Sequence, residues 1–458
     1  MLIALLVCPD YASHYLPLSA IGQELQARGA DVVVATGDAL QARVITDGFE
    51  HRLLPLGPGS NAGLIRPDEQ APAEAEQLTA FFEATRRGPI ATLRHQADHR
   101  LHDLLWRPRT VTERLAEILA ELDPDIVVSD QLAYGASLAL RALEQPYASL
   151  LPGHPTALPA TGELFGLPPY FPPALSVSAA ERAEHRRLSA DASRRFAAEF
   201  RLALHDLNPH AEAPRDPFAA GSPWLTLLNY PQQLAKHRPP LANARYIGSS
   251  VRTEPTEPLL QAQIDALPRP RVYVSLGSFM SARADVLARI ADAFRDENVS
   301  VVLASGVAEP GSLGPPGARQ LVRPYVPQVR VLRSCDLVVC HGGNNTVTEA
   351  LEAGVPVLVC PFASDQFAGA EDVRRGGVGD AFDPNRADSK EIARRADALL
   401  HGPSSVRAAA LGRTLRATPG AVLAADLLPT TLRPANARRT ATASAASARR
   451  QQAVSGRS

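Results

Sequence analysis

The chain alternates short unbroken apolar runs with stretches of helical spacing. Residues 2–8 (LIALLVC) are continuously apolar, residues 18–28 (LSAIGQELQAR) set apolar positions three and four apart with Gly29 as a stop, and residues 31–35 (DVVVA) are apolar again. Strand, helix and strand at this length make a βαβ unit, which implies a parallel sheet. The alternation returns as a helix at 112–121, a strand at 125–130 and a helix at 134–144. A second start follows at Val272-Tyr273-Val274-Ser275, with a helix at 283–295, a strand at 299–304, a strand at 337–340, a helix near 346–353 and a strand at 355–359. The pattern predicts an α/β chain of two Rossmann-like, doubly wound domains.

Punctuation divides the chain further. Residues 57–75 and 151–175 are rich in Pro and Gly, as in Leu167-Pro168-Pro169-Tyr170-Phe171-Pro172-Pro173, and interrupt the alternation. Loops of this length either form a substrate wall or simply cover the sheet. The Pro-rich polar stretch before the second start reads as a linker. The expected division is a first domain over 1–248, a linker over 249–270, a second domain over 271–403, a helical segment over 404–430 returning towards the first domain, and a tail over 431–458. That tail has no Asp or Glu and little large apolar content, so burial cannot offset its ordering entropy.

Composition narrows the partners. With 47 Lys and Arg against 48 Asp and Glu in 458 residues, the net charge is -1. No global positive field exists to attract nucleic acid or anionic lipid. Hydrophobic residues at 45% and charged residues at 21% suit packed domains. Four cysteines in so long a chain do not form a disulfide scaffold, and Cys8, Cys335, Cys340 and Cys360 lie in or beside apolar runs, which predicts reduced core thiols. The opening run meets Pro9-Asp10 at once and has no basic segment before it, so it reads as a strand and not as a secretory leader. With no run of about 18 apolar residues, a cytoplasmic location without a membrane span is expected.

The most specific stretch is His341-Gly342-Gly343-Asn344-Asn345-Thr346-Val347-Thr348-Glu349, placed between a predicted strand and a predicted helix. Glycines allow close backbone approach, and the free N–H groups of a helix N-terminus bind phosphate, so this turn suits a diphosphate. Glu349 would face the same crevice on the first turn and accept from a ribose diol; equally, Thr346 and Glu349 have the spacing of a capping box that needs no ligand.

The run from Tyr325-Val326-Pro327-Gln328 through His341-Gly342-Gly343 and Glu349 to Pro361-Phe362-Ala363-Ser364-Asp365-Gln366 resembles the donor-binding motif of family 1 glycosyltransferases of the GT-B fold, the UDP-dependent and natural-product type. The resemblance implies two domains facing across a cleft. It also implies that Tyr325 stacks on the nucleobase, Gln328 and Glu349 hold the ribose, His341, Asn345, Thr346 and Ser278 contact the diphosphate beside Gly342 and Gly343, and Asp365 and Gln366 bind donor-sugar hydroxyls.

In the first domain, Ser13-His14-Tyr15-Leu16-Pro17 is expected in the loop after the first strand, at the edge where open α/β sheets bind ligands. A lone loop histidine is more often structural. The family, however, places its general base in a Gly-His-x-x-Pro segment here, which implies that His14 deprotonates the acceptor hydroxyl. Ser13 stands where the family has Gly. Asp130, ending a strand, is either an N-cap or, by the same resemblance, the carboxylate that orients His14.

No metal or other cofactor is expected. Asp123-Pro124-Asp125 falls at the wrong end of its strand for a cleft metal, and His95, His99 and His102 along one helix converge poorly on a tetrahedral ion. The expected function is inverting transfer of a hexose from a nucleotide sugar to a small hydrophobic acceptor. A UDP-sugar is favoured by Glu349, and a dTDP-sugar is the alternative. The rival readings are a nucleotide-sugar epimerase of similar build and a non-catalytic nucleotide-sugar binder.

Overall fold

A computed structural model describes residues 2–61, 72–100, 104–255, 257–295 and 298–436. The first sheet contains β1 (Leu2–Val7), β2 (Ala30–Thr36), β3 (Glu50–Leu53), β4 (Ile126–Asp130), β5 (Ala148–Leu151), β6 (Leu225–Leu228) and β7 (Ala244–Tyr246). The second contains β8 (Arg271–Ser275), β9 (Ser300–Ala304), β10 (Gln320–Arg323), β11 (Leu337–Cys340), β12 (Val357–Val359) and β13 (Gly379–Ala381). Their orders are β3-β2-β1-β4-β5-β6-β7 and β10-β9-β8-β11-β12-β13. The β1 ladders to β2 and β4, and the β8 ladders to β9 and β11, are parallel. Each sheet thus reverses its winding beside its first strand, where such folds open a crevice.

The apolar runs are continuous because both faces of each sheet are covered. Leu6, Val34 and Val128 pack on one side of the first sheet, and their neighbours Leu5, Val33 and Val127 pack on the other. The second sheet divides in the same way, with Val274, Leu303 and Val339 opposite Tyr273, Val302 and Val338. All four cysteines are buried and unbonded. Among the described residues no helix is long and apolar enough to cross a membrane.

Five features differ from the sequence reading. Ser13 to Pro17 lie inside the helix Ala12–Ala27 and not in a loop. Pro17 lacks the N–H that would reach the Ser13 carbonyl, and Asn345 of the second domain donates to that carbonyl instead, at 2.7 Å. The helix Pro72–Arg87, within the segment assigned to the first domain, buries Phe81 and Phe82 in the core of the second. The returning segment also divides. Helix Pro403–Ala417 stays on the second domain, where Ala408, Leu411 and Leu415 are buried, and a separate helix over 420–436 crosses back.

This last helix passes through the expected start of the tail at 431. Leu428 and Leu432 are buried against the first sheet, and Asn436 donates to the Asp125 carbonyl. Burial of these leucines outweighs the polar composition around them; residues 437–458 lie outside the described residues. The 29-residue helix Ala179–Leu207, which the apolar pattern did not reveal, is opened by a capping box between Ser178 and Glu181. Phe196, Phe200 and Leu204 are its buried stripe.

Candidate active site

Pairing of β1 with β4 sets Val7 opposite Ser129, so the chain leaving β1 passes beside Asp130. The next helix then brings the His14 Nδ1 to 2.9 Å from Asp130 Oδ2, with His14 18% exposed and Asp130 fully buried. The other oxygen of Asp130 accepts from the Leu132 backbone N–H at 2.8 Å. Asp130 therefore holds the local turn and the imidazole at once, but it is not the N-cap of the following helix, a position taken by Ala133 without a side-chain cap bond. A carboxylate on Nδ1 holds the ring proton there and leaves Nε2 as an acceptor.

His14 opens onto a cavity of about 550 Å³ between the domains. On the first-domain side the cavity is walled by Leu16, Leu132, Phe165 and Leu167, with Phe279 from the second. The loop 151–175 thus contributes to the wall. Of residues 57–75, Asn61 also lines the cavity, and 62–71 lie outside the described residues.

The opposite side is lined by Ser278, Tyr325, Gln328, His341, Gly343, Asn345, Thr346, Glu349, Asp365 and Gln366. Gly342 is set behind this surface. It has φ +86°, and a Cβ there would lie 2.6 Å from Val359, so conformation and space both require glycine. Gly343 caps the helix Asn344–Ala353 without a side-chain cap bond. Thr346 is consequently the third helical residue and Glu349 lies in the second turn, which corrects the first-turn placement and removes the capping-box alternative. The start of that helix, Asn344 to Thr346, lines the cavity together with Ser278 of the short turn after β8, and a helix start has backbone N–H groups without intrahelical partners.

Electrostatics divides the wall opposite His14. Burial pulls His341 down to about 4 from the ordinary imidazole value of 6.5, so the ring is neutral near pH 7. Its Nδ1 is shielded and has no hydrogen-bond partner among the described residues. Glu349 is 4% exposed, and burial raises its pKa against the opposing pull of Arg252 and Gln328. Tyr325 stands 61% exposed at the cavity rim. Gln366 Oε1 accepts from the N–H groups of Phe362 and Ala363 at 2.9 and 3.1 Å.

Several of these groups also join the domains. Asp365 accepts from the His154 backbone N–H at 2.7 Å, and Asn344 donates to the carbonyls of Pro152 and Asn229 at 2.6 and 2.9 Å. His154 Nε2 meets Asp372 at 2.9 Å, both buried. Arg252, Asn344 and His154 were not anticipated. Arg252 lies in a stretch read as linker, and nothing in the local sequence distinguishes it from a solvated arginine.

Among the described residues, no three or more His, Cys, Asp or Glu side chains are grouped to hold a metal ion. Asp125 lies at the start of β4 and accepts from the Ile3 N–H at 3.0 Å. His102, one of the three histidines considered, lies outside the described residues.

Residues 213–409 match the model of the UDP-glucoronosyl and UDP-glucosyl transferase family. The chain is 27% identical over 402 residues to the zeaxanthin glucosyltransferase of Pseudescherichia vulneris, covering 82% of this chain and 84% of that one. It is also 27% identical over 438 residues to the 4'-demethylrebeccamycin synthase of Lentzea aerocolonigenes, covering 91% and 96%. The solved structure of glycosyltransferase VinC in complex with DTDP superposes with a TM-score of 0.65 at 19% identity, covering 94% of this chain and 99% of that one. That of the glycotransferase of kitacinnamycin gives 0.63 at 21% identity. These superpositions speak for the GT-B fold.

Proposed function

The chain is a glycosyltransferase of the GT-B fold that resembles family 1, and from that premise we propose that it transfers a hexose with inversion from a nucleotide sugar to a hydroxyl of a small hydrophobic natural product. His14 Nε2 takes the proton of the acceptor hydroxyl as its oxygen attacks the anomeric carbon. The bond from that carbon to the diphosphate oxygen breaks on the opposite face, and the nucleoside diphosphate leaves with the bonding pair. Asp130 holds the tautomer and stabilises the imidazolium that forms.

The observation that carries the reading is one cavity with the Asp130-held imidazole on one wall and the Gly343 helix start on the other. The free N–H groups of that helix, with Ser278 and Thr346, are the groups proposed to meet the leaving charge without a metal. Tyr325 is proposed to carry the base, Glu349 and Gln328 the ribose, and Asp365 and Gln366 the sugar. UDP is the preferred carrier on the strength of Glu349. The apolar wall supports a hydrophobic acceptor, and so do the names of the two relatives, one after zeaxanthin and one after 4'-demethylrebeccamycin.

The test is release of UDP from UDP-sugars with and without a panel of hydrophobic alcohols and phenols. Release that depends on the acceptor, a product of opposite anomeric configuration, and an unchanged rate in a chelator are expected. Isomerisation of the donor without acceptor would identify an epimerase, and binding without turnover a carrier protein.

A further inference from the structure

The carboxylate assigned to the ribose already has partners. Arg252 Nη1 donates to Glu349 Oε1 at 2.5 Å, and Gln328 Nε2 donates to Glu349 Oε2 at 2.6 Å. The same guanidinium bonds Glu254 through Nη2, and Glu254 in turn accepts from the Val329 N–H at 2.8 Å. Arg252 is 9% exposed and its Nε is shielded without a hydrogen-bond partner among the described residues, yet the residue lines the cavity beside Tyr325 and Glu349. Burial works against its charge, and the two carboxylates more than restore it.

This arrangement changes what a nucleotide must supply. A site built to bond a substrate hydroxyl rejects the analogue lacking it by about 10⁴–10⁵-fold, because its buried polar groups are then left unpaired. Here Glu349 is paired before any pentose arrives. A carboxylate has about four acceptor positions, so a ribose diol can still be received on those that Arg252 and Gln328 leave open. A 2′-deoxypentose forgoes that extra bond but strands no charge.

We propose that Arg252 is a donor-specificity residue that makes the nucleotide pocket tolerant of a missing 2′-hydroxyl, so that the protein takes both UDP-hexoses and dTDP-hexoses. The inference rests on the reading of Glu349 as the pentose-facing group, and it relaxes the preference for UDP drawn from that residue alone.

The experiment is calorimetric titration of the full chain with UDP, dUDP and dTDP at pH 8. dUDP differs from UDP in the 2′-hydroxyl alone. The wild type is expected to hold UDP and dUDP within about 30-fold of each other, the scale of one hydrogen bond to a charged group. In Arg252→Met the ratio is expected to widen by about tenfold or more, since a ribose hydroxyl then replaces a partner that a deoxypentose cannot. If Arg252 only anchors the linker through Glu254, both affinities fall together and the ratio stays put, which overturns the inference. A wild-type preference for UDP beyond about 30-fold overturns it as well. Should Arg252→Met not fold, Arg252→Met with Glu349→Gln removes both charges and is expected to keep the ratio near that of the wild type; a widened ratio there overturns the role given to Glu349. A wild type that binds none of the three nucleotides overturns the nucleotide-sugar reading itself.

Discussion

The group proposed as general base is defined by what holds it. The His14 ring is fixed by one carboxylate oxygen of Asp130, and the other oxygen is tied to the Leu132 backbone, so the carboxylate cannot rotate away. His14→Ala is expected to lower turnover about 10²–10⁴-fold while UDP affinity, measured by titration, barely moves. His341 titrates in the opposite sense to an ion-paired histidine. Its folded value of about 4 lies below the ordinary 6.5, so the unfolded chain binds the proton more readily between these limits. Its contribution to stability is therefore complete above pH 6.5 and declines as pH falls towards 4. Urea unfolding at pH 7 and pH 5 is expected to show a smaller loss in His341→Gln than in the wild type, and an equal loss would refute the buried neutral ring.

At the scale of elements, the site depends on how strands hand over to helices. After β11 the chain turns through Gly342 in a left-handed conformation against Val359, and only then opens the helix whose start faces the cavity. Gly342→Ala adds a strained φ and a clash with Val359, and a loss of about 1–3 kcal/mol is expected, read as a lowered Tm together with weakened UDP binding. After β1 the opening helix carries Pro17, which leaves the Ser13 carbonyl to Asn345 across the cleft. Asn345 was expected at the diphosphate. Here it joins the two domains, so a helix irregularity in one domain becomes an attachment point for the other.

The whole molecule is less cleanly divided than its two sheets suggest. Phe81 and Phe82 come from a segment between β3 and β4 of the first sheet, yet they fill the core beneath β8 and β9 of the second. Arg283 reinforces the crossing by donating to Thr85 at 3.0 Å. Phe82→Ala is expected to destabilise the second domain by about 3–5 kcal/mol, seen as an earlier unfolding transition with nucleotide present or absent. The helix over 420–436 makes the reverse crossing, with Arg28 paired to Asp426 beside the buried Leu428 and Leu432. The two sheets are thus tied together by crossings from residues 72–87 and 420–436, which hold the Asp130-bound His14 and the Gly343 helix start in one frame.

Strand and helix periods, the glycine pair and the long motif around it made the two α/β sheets and the cavity wall opposite His14 legible in the linear chain, because each depends on residues near one another in sequence. His14 and Asp130 were singled out by motif position and lie in contact, although the expected loop is a helix in which Pro17 leaves the Ser13 carbonyl to Asn345. Arg252 beside Glu349, His154 beside Asp372, and the two phenylalanines in the other domain's core left no such trace. They join positions separated by 97 and 218 residues in the two polar pairs, and their pairing follows from burial in a shared interface, where a charge needs a partner and an apolar face needs a cover. Periodicity reports the face a residue presents. Which distant group comes to meet that face is settled by packing.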